Sequence, residues 1–198
     1  MPTSVNILEL SDFSLAEQQH FGRARDILAL AVNFPSFRDR VLTAPYKETY
    51  FRLEGGRRIS LKPTEIVQII SDGIERGTAA DGIIDISIRK DPTIEEPVVG
   101  STVPGKLPWR TGSWFIERCT TAGDTISPAR HMIHEWLHVA GFVHKRQNGY
   151  RNDVAYLVGD VVRGILREIA AQKSDHQISE DLGIAAALDR SLEHLGED

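Results

Sequence analysis

Residues 134–144 have the sequence HEWLHVAGFVH, which places three histidines and one glutamate within eleven residues. If this segment is an α-helix, His134 and His138 lie about 40° apart around the axis and one turn along it. Both imidazoles can then bind the same metal ion. Glu135 lies on the neighbouring flank of the helix, where its carboxylate can contact a water molecule on that ion without being a ligand. The spacing therefore predicts a metal site with a carboxylate beside it.

A third nitrogen ligand follows after a glycine. Gly141 can adopt positive φ, so it can end the helix and turn the chain, which would bring His144 to the same ion. Three neutral imidazoles with an open fourth position are typical of a catalytic zinc site, because structural zinc sites usually have four protein ligands. The sequence thus predicts Zn²⁺ bound by His134, His138 and His144. The alternative is a histidine-rich helix end that binds no metal and carries Glu135 as a solvated carboxylate.

The motif HExxHxxGxxH resembles the zinc-binding signature of the metzincin metallopeptidases. Five residues occupy its fixed positions: His134, Glu135, His138, Gly141 and His144. The short HExxH motif often occurs by chance, whereas its extension to the glycine and the third histidine is much more specific. The resemblance implies a zinc metallopeptidase, and we expect an endopeptidase that acts on a peptide or protein substrate.

The residue types suggest a hydrolytic mechanism. A bound zinc ion lowers the pKa of its water towards about 7, which makes hydroxide available at neutral pH. Glu135 would act as the general base and then pass the proton to the leaving amine. Tyr156 would donate a hydrogen bond to the tetrahedral intermediate, unless it is a buried tyrosine that only packs beside the site. The alternative function is a zinc-binding protein without peptidase activity, either a binding module or a hydrolase of a non-peptide amide.

The chain departs from the metzincin pattern after the third histidine. That pattern expects a methionine turn beneath the metal, often with a tyrosine two residues after the methionine. The only methionines here are Met1 and Met132, and Val154 stands at the expected place, two residues before Tyr156. The missing methionine favours the alternative without peptidase activity, whereas the intact Glu135 favours the peptidase.

The elements around the motif can be predicted from capping residues. Ser127 followed by Pro128 is a good start for the metal-binding helix, which should end near Gly141. Asp153 is expected to cap the next helix, or to orient a ligand histidine. His131 is expected at the surface or behind the ligands rather than on the metal. Core packing is expected for Trp136, Leu137, Val139 and Phe142, and a last helix for residues 180–195 after Ser179.

Two helices and a hairpin are predicted in the N-terminal part of the chain. Ser14 and Glu17 fit a capping box, and the apolar residues behind them recur at near-helical spacing, which predicts a helix over residues 15–32. Pro35 begins a second, short helix. The glycine pair at residues 55–56 predicts a turn between two short strands.

The middle of the chain indicates a helix and then strands. Thr64 begins an amphipathic segment that ends at Gly77, and residues 82–90 alternate isoleucine with polar residues, as a half-buried strand does. Residues 91–112 are rich in proline and glycine and predict a long loop or irregular edge. The segment SWFIERCTT, residues 113–121, is predicted to be a strand.

The resemblance adds an expectation about the substrate. It covers residues 64–165 by the order of elements, with the strong match confined to the motif. By analogy, residues 109–118, with Trp109, Trp114 and Ile116, form a candidate edge strand that would bind an extended peptide as a further strand.

Length and composition predict one globular domain over residues 1–198, since 41% of the residues are hydrophobic and 26% are charged. The expected fold class is α+β, with a small mixed or antiparallel sheet that has an edge strand, a metal-binding helix and C-terminal helices. The net charge of -5 gives no excess of basic residues for a phosphate backbone, so no nucleic-acid partner is expected.

The cysteine content and the distribution of apolar residues bear on where in the cell the protein is located. Cys119 is the only cysteine, so no intrachain disulfide can form. The N-terminus lacks a basic start followed by an apolar run, and the chain lacks an uncharged apolar stretch of about 18 residues. We therefore expect a cytoplasmic protein with no membrane partner, although specialised export routes leave no such mark. The sequence leaves the oligomeric state and the cleavage preference open.

Overall fold

The structure is a computed structural model that describes residues 2–144 and 152–172. These residues form a four-stranded mixed sheet, a two-stranded hairpin and six α-helices, which confirms the α+β class. In chain order the elements are β1 (Ser4–Ser11), α1 (Leu15–Val32), α2 (Phe37–Thr43), β2 (Tyr50–Arg52), β3 (Arg58–Ser60), α3 (Pro63–Asp72), β4 (Ile83–Asp91), β5 (Gly100–Ser101), β6 (Trp109–Gly112), α4 (Ser113–Ala122), α5 (Ile126–Ala140) and α6 (Val154–Ala171).

The four-stranded sheet has the order β1-β4-β6-β5. β1 and β6 are both parallel to β4, whereas β5 is antiparallel to β6 and forms one edge. Ile84, Ile86 and Ile88 of β4 are fully buried, as their alternation predicted. β1 was not predicted, and it pairs with β4 across more than seventy residues.

The expected edge strand over residues 109–118 is wrong in both its extent and its position. β6 covers only Trp109–Gly112 and lies between β4 and β5, so the edge belongs to β5. The predicted strand over residues 113–121 is helix α4. Phe115, Ile116 and Cys119 are its buried residues, a spacing that places them on one helical face. The long loop expected over residues 91–112 likewise contains β5 and β6.

The N-terminal predictions agree closely with the structure. α1 covers Leu15–Val32, and the capping box of Ser14 and Glu17 is formed in both directions. α2 follows Pro35, and Gly55 and Gly56 turn the chain between antiparallel strands β2 and β3. α3 is shorter than expected, because Gly73 takes a left-handed conformation and ends the helix before Gly77.

Helices α1, α5 and α6 pack together, and α1 and α5 also contact the sheet. The four residues expected in the core around the motif are buried: Trp136, Leu137, Val139 and Phe142. α5 begins at Ile126, and its cap residue Thr125 lies two residues before the predicted cap Ser127. The helix ends at Gly141, as expected. In the described part of the chain no helix has both the length and the apolar composition needed to cross a membrane. The helix predicted over residues 180–195 lies outside the described residues.

The approach of β4 to the end of α3 yields a stability prediction. A Cβ atom on Gly73, at φ 59°, would lie 2.2 Å from the backbone oxygen of Ile83. Gly82, at φ 74°, has no atom within 4 Å of the same position. Gly82→Ala should cost about 1–2 kcal/mol through its left-handed backbone alone. Gly73→Ala should cost about 1–3 kcal/mol more, because the backbone must also move. Chemical denaturation of both variants checks this, and equal losses would contradict the close approach.

Candidate metal centre and its cleft

The structure brings together the three histidines that the motif predicted as ligands. One ring nitrogen from each of His134, His138 and His144 can be chosen so that all three lie within 4.8 Å of one another. The ring centroids are 4.5 Å apart for His138 and His144 and 5.0 Å apart for His134 and His138. Two of the rings come from successive turns of α5 and the third from the chain just beyond its end. These three residues could hold a metal ion.

Two of the imidazoles are oriented by hydrogen bonds. Nδ1 of His138 donates to the backbone oxygen of Phe142 at 2.8 Å, and Nδ1 of His144 donates to Oδ2 of Asp153. A neutral imidazole carries one N–H group, so these bonds place the proton on Nδ1 and leave the lone pair of Nε2 for a metal. A carboxylate that holds a ligand histidine also raises the basicity of the ligand.

Asp153 caps α6, as predicted, and also contacts a candidate ligand. Its Oδ1 atom accepts a hydrogen bond from the backbone nitrogen of Tyr156 at 3.1 Å, which caps the N-terminus of α6. Its Oδ2 atom is the partner of His144. One buried carboxylate thus connects the start of a helix to the third candidate ligand.

Burial keeps His134 and His138 in the neutral form that metal binding requires. It is the main cause that lowers the pKa of His138 to about 4, and the charge of His144 lowers this pKa further. It also lowers the pKa of His134 well below its usual value, with smaller contributions from His138 and His131. Both side chains are therefore uncharged near pH 7.

The donor set fits a transition metal rather than a hard cation. Three imidazole nitrogens suit zinc, copper, iron or nickel, whereas calcium and magnesium prefer oxygen ligands. In a tetrahedral site with metal–nitrogen bonds of about 2.0–2.1 Å, the nitrogens lie about 3.3 Å apart. The three histidine nitrogens lie within 4.8 Å of one another, so small side-chain rotations would bring them to that spacing.

Glu135 is a buried carboxylate beside the cluster, with 5% of its surface exposed. The hydroxyl of Thr102 donates a hydrogen bond to its Oε2 atom, and Nδ1 of His131 lies 3.6 Å from its Oε1 atom. Burial raises the pKa of Glu135 to about 7, although the bond from Thr102 and the charge of His144 oppose this shift. The alternative prediction, that Glu135 is a solvated carboxylate, is therefore wrong.

His131 lies behind Glu135 and is buried rather than at the surface. Its Nε2 atom is 3.0 Å from the hydroxyl oxygen of the buried Thr111 on β6. Burial lowers the pKa of His131 to about 3, so the ring is neutral. A Cβ atom at Gly100 would lie 2.6 Å from this ring, so only glycine lets the edge strand approach so closely.

Tyr156 and Val154 both lie at the centre, on the first turn of α6. The ring of Tyr156 is 4.6 Å from that of His134 and 5.4 Å from that of His144, measured between centroids. Val154, at the position where the metzincin pattern has methionine, lines a small space together with His138 and His144. It is 2% exposed, so an apolar side chain forms the floor of the centre.

A cleft of about 900 Å³ opens above the centre. One wall is the segment 97–104, which contains β5, and helices α4, α5 and α6 supply most of the other lining residues. All three candidate ligands, Glu135 and Tyr156 line this cleft. A segment of extended polypeptide would fit in a space of this volume.

Several lining residues were not predicted from the sequence. Arg130 precedes His134 by four residues, so the spacing that paired the histidines also placed this arginine on their face. Arg163 follows Tyr156 by seven residues, or about two helical turns. Thr102 had no comparable signal, because it comes from a distant segment rich in proline and glycine.

Comparisons of the chain with protein-family models, with curated proteins and with solved structures found no match.

Substitution of Asp153 separates its two roles. In Asp153→Ser the hydroxyl can still cap α6, but the shorter side chain cannot reach His144. We expect the affinity for added Zn²⁺ to fall by about 10–100-fold, with little change in the unfolding midpoint of the metal-free protein. A competition titration with a coloured chelator measures the affinity. An unchanged affinity would show that the carboxylate does not support the centre.

Proposed function

We propose that this protein is a zinc-dependent peptidase of the metzincin type. The observation that carries the proposal is the convergence of His134, His138 and His144 beside the buried Glu135, in a cleft large enough for a peptide. The order of elements, with a mixed sheet, an antiparallel edge strand and then the metal-binding helix, is compatible with such an enzyme.

The three histidines would hold the ion through their Nε2 atoms. A zinc ion in that position supplies an activated water and an electrophile for the scissile carbonyl group. The Nδ1 bonds to the Phe142 carbonyl and to Asp153 fix two rings before the ion arrives. Binding then requires little rearrangement of these side chains.

Glu135 would act as the general base and then as the general acid. Its carboxylate takes a proton from the attacking water and delivers that proton to the nitrogen of the leaving amine. Its position next to His134, in the wall of the same cleft, supports this role. When the reaction begins, the hydroxyl of Thr102 must share the carboxylate with water, since it donates to Oε2.

Tyr156 would assist at the carbonyl oxygen. Its ring lies beside two of the three histidines and lines the cleft. A phenol in this position can donate a hydrogen bond to the oxygen that becomes negative as the carbonyl is attacked. The helix cap at Asp153 fixes the backbone of this residue, because the capping bond is made to the Tyr156 nitrogen.

A second candidate is a zinc-binding protein without peptidase activity. The contact between Thr102 and Glu135 favours it, because the carboxylate required as a base already has a hydrogen-bond partner. The apolar floor of the centre contains Val154 where metzincins have methionine, which also favours it. In this case the cleft would bind a ligand, or would hydrolyse an amide that is not a peptide bond.

The test of the proposed function compares the wild type with Glu135→Gln and with Glu54→Gln as a control. Glu54 is exposed and lies outside the cleft. We expect all three proteins to bind one zinc ion per chain, since Glu135 is not a ligand. Cleavage of a mixed peptide library should fall by about 10²–10⁴-fold in Glu135→Gln alone, because removal of a general base costs that much. Elemental analysis and mass spectrometry of the products provide the two measurements.

The outcomes separate the two candidates. Zinc in all three proteins with no cleavage by any of them would reject the peptidase in favour of the second candidate. Absence of zinc from all three, after metal has been offered, would reject the centre itself. Equal cleavage by wild type and Glu135→Gln would remove the assigned base.

A further inference from the structure

Three arginines from three different helices line the cleft. Arg118 belongs to α4, Arg130 to α5 and Arg163 to α6. Among the described residues that line the cleft, Glu135 is the only carboxylate. The whole chain has a net charge of -5, so this concentration of positive charge does not follow from its composition.

Two of these arginines share one counter-charge. Nε of Arg130 and Nη2 of Arg163 lie 3.0 and 3.2 Å from the same oxygen, Oδ1 of Asp160. Burial lowers the pKa of Arg163, and the charges of Arg130 and Arg167 lower it further, although Asp160 opposes this shift. Arg118 is paired only loosely, at 3.5 Å from exposed Glu96. The cleft therefore has excess positive charge at its wall.

The pair Arg130 and Arg163 lies close to the candidate metal centre. Arg130 is one helical turn before His134, and its guanidinium carbon lies 6.0 Å from the centroid of the Tyr156 ring. Arg163 is two turns beyond Tyr156 on α6. At about 5.4 Å per turn, a group bound by this pair would lie some 5–11 Å from the centre. An extended peptide covers that distance in about two or three residues.

We propose that Arg130 and Arg163 bind a carboxylate of the substrate close to the bond that is hydrolysed. Guanidinium groups match carboxylates in geometry and can form two parallel hydrogen bonds with them. The carboxylate belongs either to an acidic side chain or to the C-terminus of a short peptide. This inference rests on the proposed function, because it names the substrate class of the same cleft.

The first experiment measures kcat/KM for matched peptides with zinc-loaded wild type, Arg163→Met, Arg163→Lys and Arg167→Met. One peptide pair exchanges glutamate for glutamine near the cleaved bond, and a second pair exchanges a free C-terminus for an amide. We expect wild type to prefer the carboxylate in one of these pairs by about tenfold or more. The pair that shows this preference identifies the source of the carboxylate.

The variants test whether Arg163 in the cleft causes the preference for a carboxylate. Arg163→Met should reduce the preference to nearly unity, and Arg163→Lys should restore part of it because the positive charge remains. Arg167 is exposed and lies outside the cleft, so Arg167→Met should retain the preference of the wild type. Cleavage by wild type without a preference in either pair would overturn this inference and leave the proposed peptidase intact.

A second experiment does not depend on turnover. Peptide hydroxamates bind zinc, so one hydroxamate with a carboxylate arm and its amide counterpart are titrated calorimetrically into the zinc-loaded proteins. We expect wild type to bind the carboxylate compound about tenfold more tightly, and Arg163→Met to bind both equally. This result in a protein that cleaves no peptide would reject the peptidase but support the carboxylate site. Equal binding of both compounds by wild type, or binding of neither, would overturn the site.

Discussion

The candidate centre depends on how the chain beyond α5 is held in place, because the third histidine lies outside that helix. Residues 47–52 supply three backbone hydrogen bonds to this part of the chain. The nitrogen of Arg52 donates to the oxygen of Gly141 at 2.8 Å, the nitrogen of Val143 donates to Tyr50, and the nitrogen of Lys47 donates to Asn152. Gly141 has a φ of 126°, and a Cβ atom there would lie 2.9 Å from the ring of Phe51. Residues 47–52 therefore fix both the turn before His144 and the residue before Asp153.

The hydrogen bonds that orient the histidines also connect metal binding to folding. His138 is held by the carbonyl of Phe142, and His144 by the carboxylate that caps α6. Burial of His138 and of Asp153 costs free energy unless each polar atom has a partner. A metal ion would satisfy the remaining Nε2 atoms, so its binding free energy would add to the stability of the folded chain.

Contacts between residues close together in the sequence were easier to predict than contacts between residues far apart in it. The proximity of His134 and His138, the capping box of α1 and the cap at Asp153 follow from spacings of a few residues, which an α-helix converts directly into proximity. The pairing of β1 with β4, and the contact of Thr102 with Glu135, join residues far apart in the chain. Residues 113–121 were predicted as a strand, and aromatic and β-branched residues, which favour strands, are common there. The structure instead has a helix with one buried face, which begins after Gly112 and ends at Gly123. In that segment, the helical spacing of the apolar residues predicts the structure better than residue type does.

One face of α6 contributes to both the candidate metal centre and the arginine pair. Asp153, Tyr156, Asp160 and Arg163 follow one another at intervals of three, four and three residues, which places them along one side of the helix. Gly159 allows this side to approach α5, because a Cβ atom there would already lie 3.3 Å from Cγ of Arg130. The cap residue that orients His144 therefore also sets the rotation of the helix that carries Arg163. A change that rotates α6 should alter both the orientation of the third candidate ligand, His144, and the positive wall of the cleft, because a single rigid element carries Asp153 and Arg163.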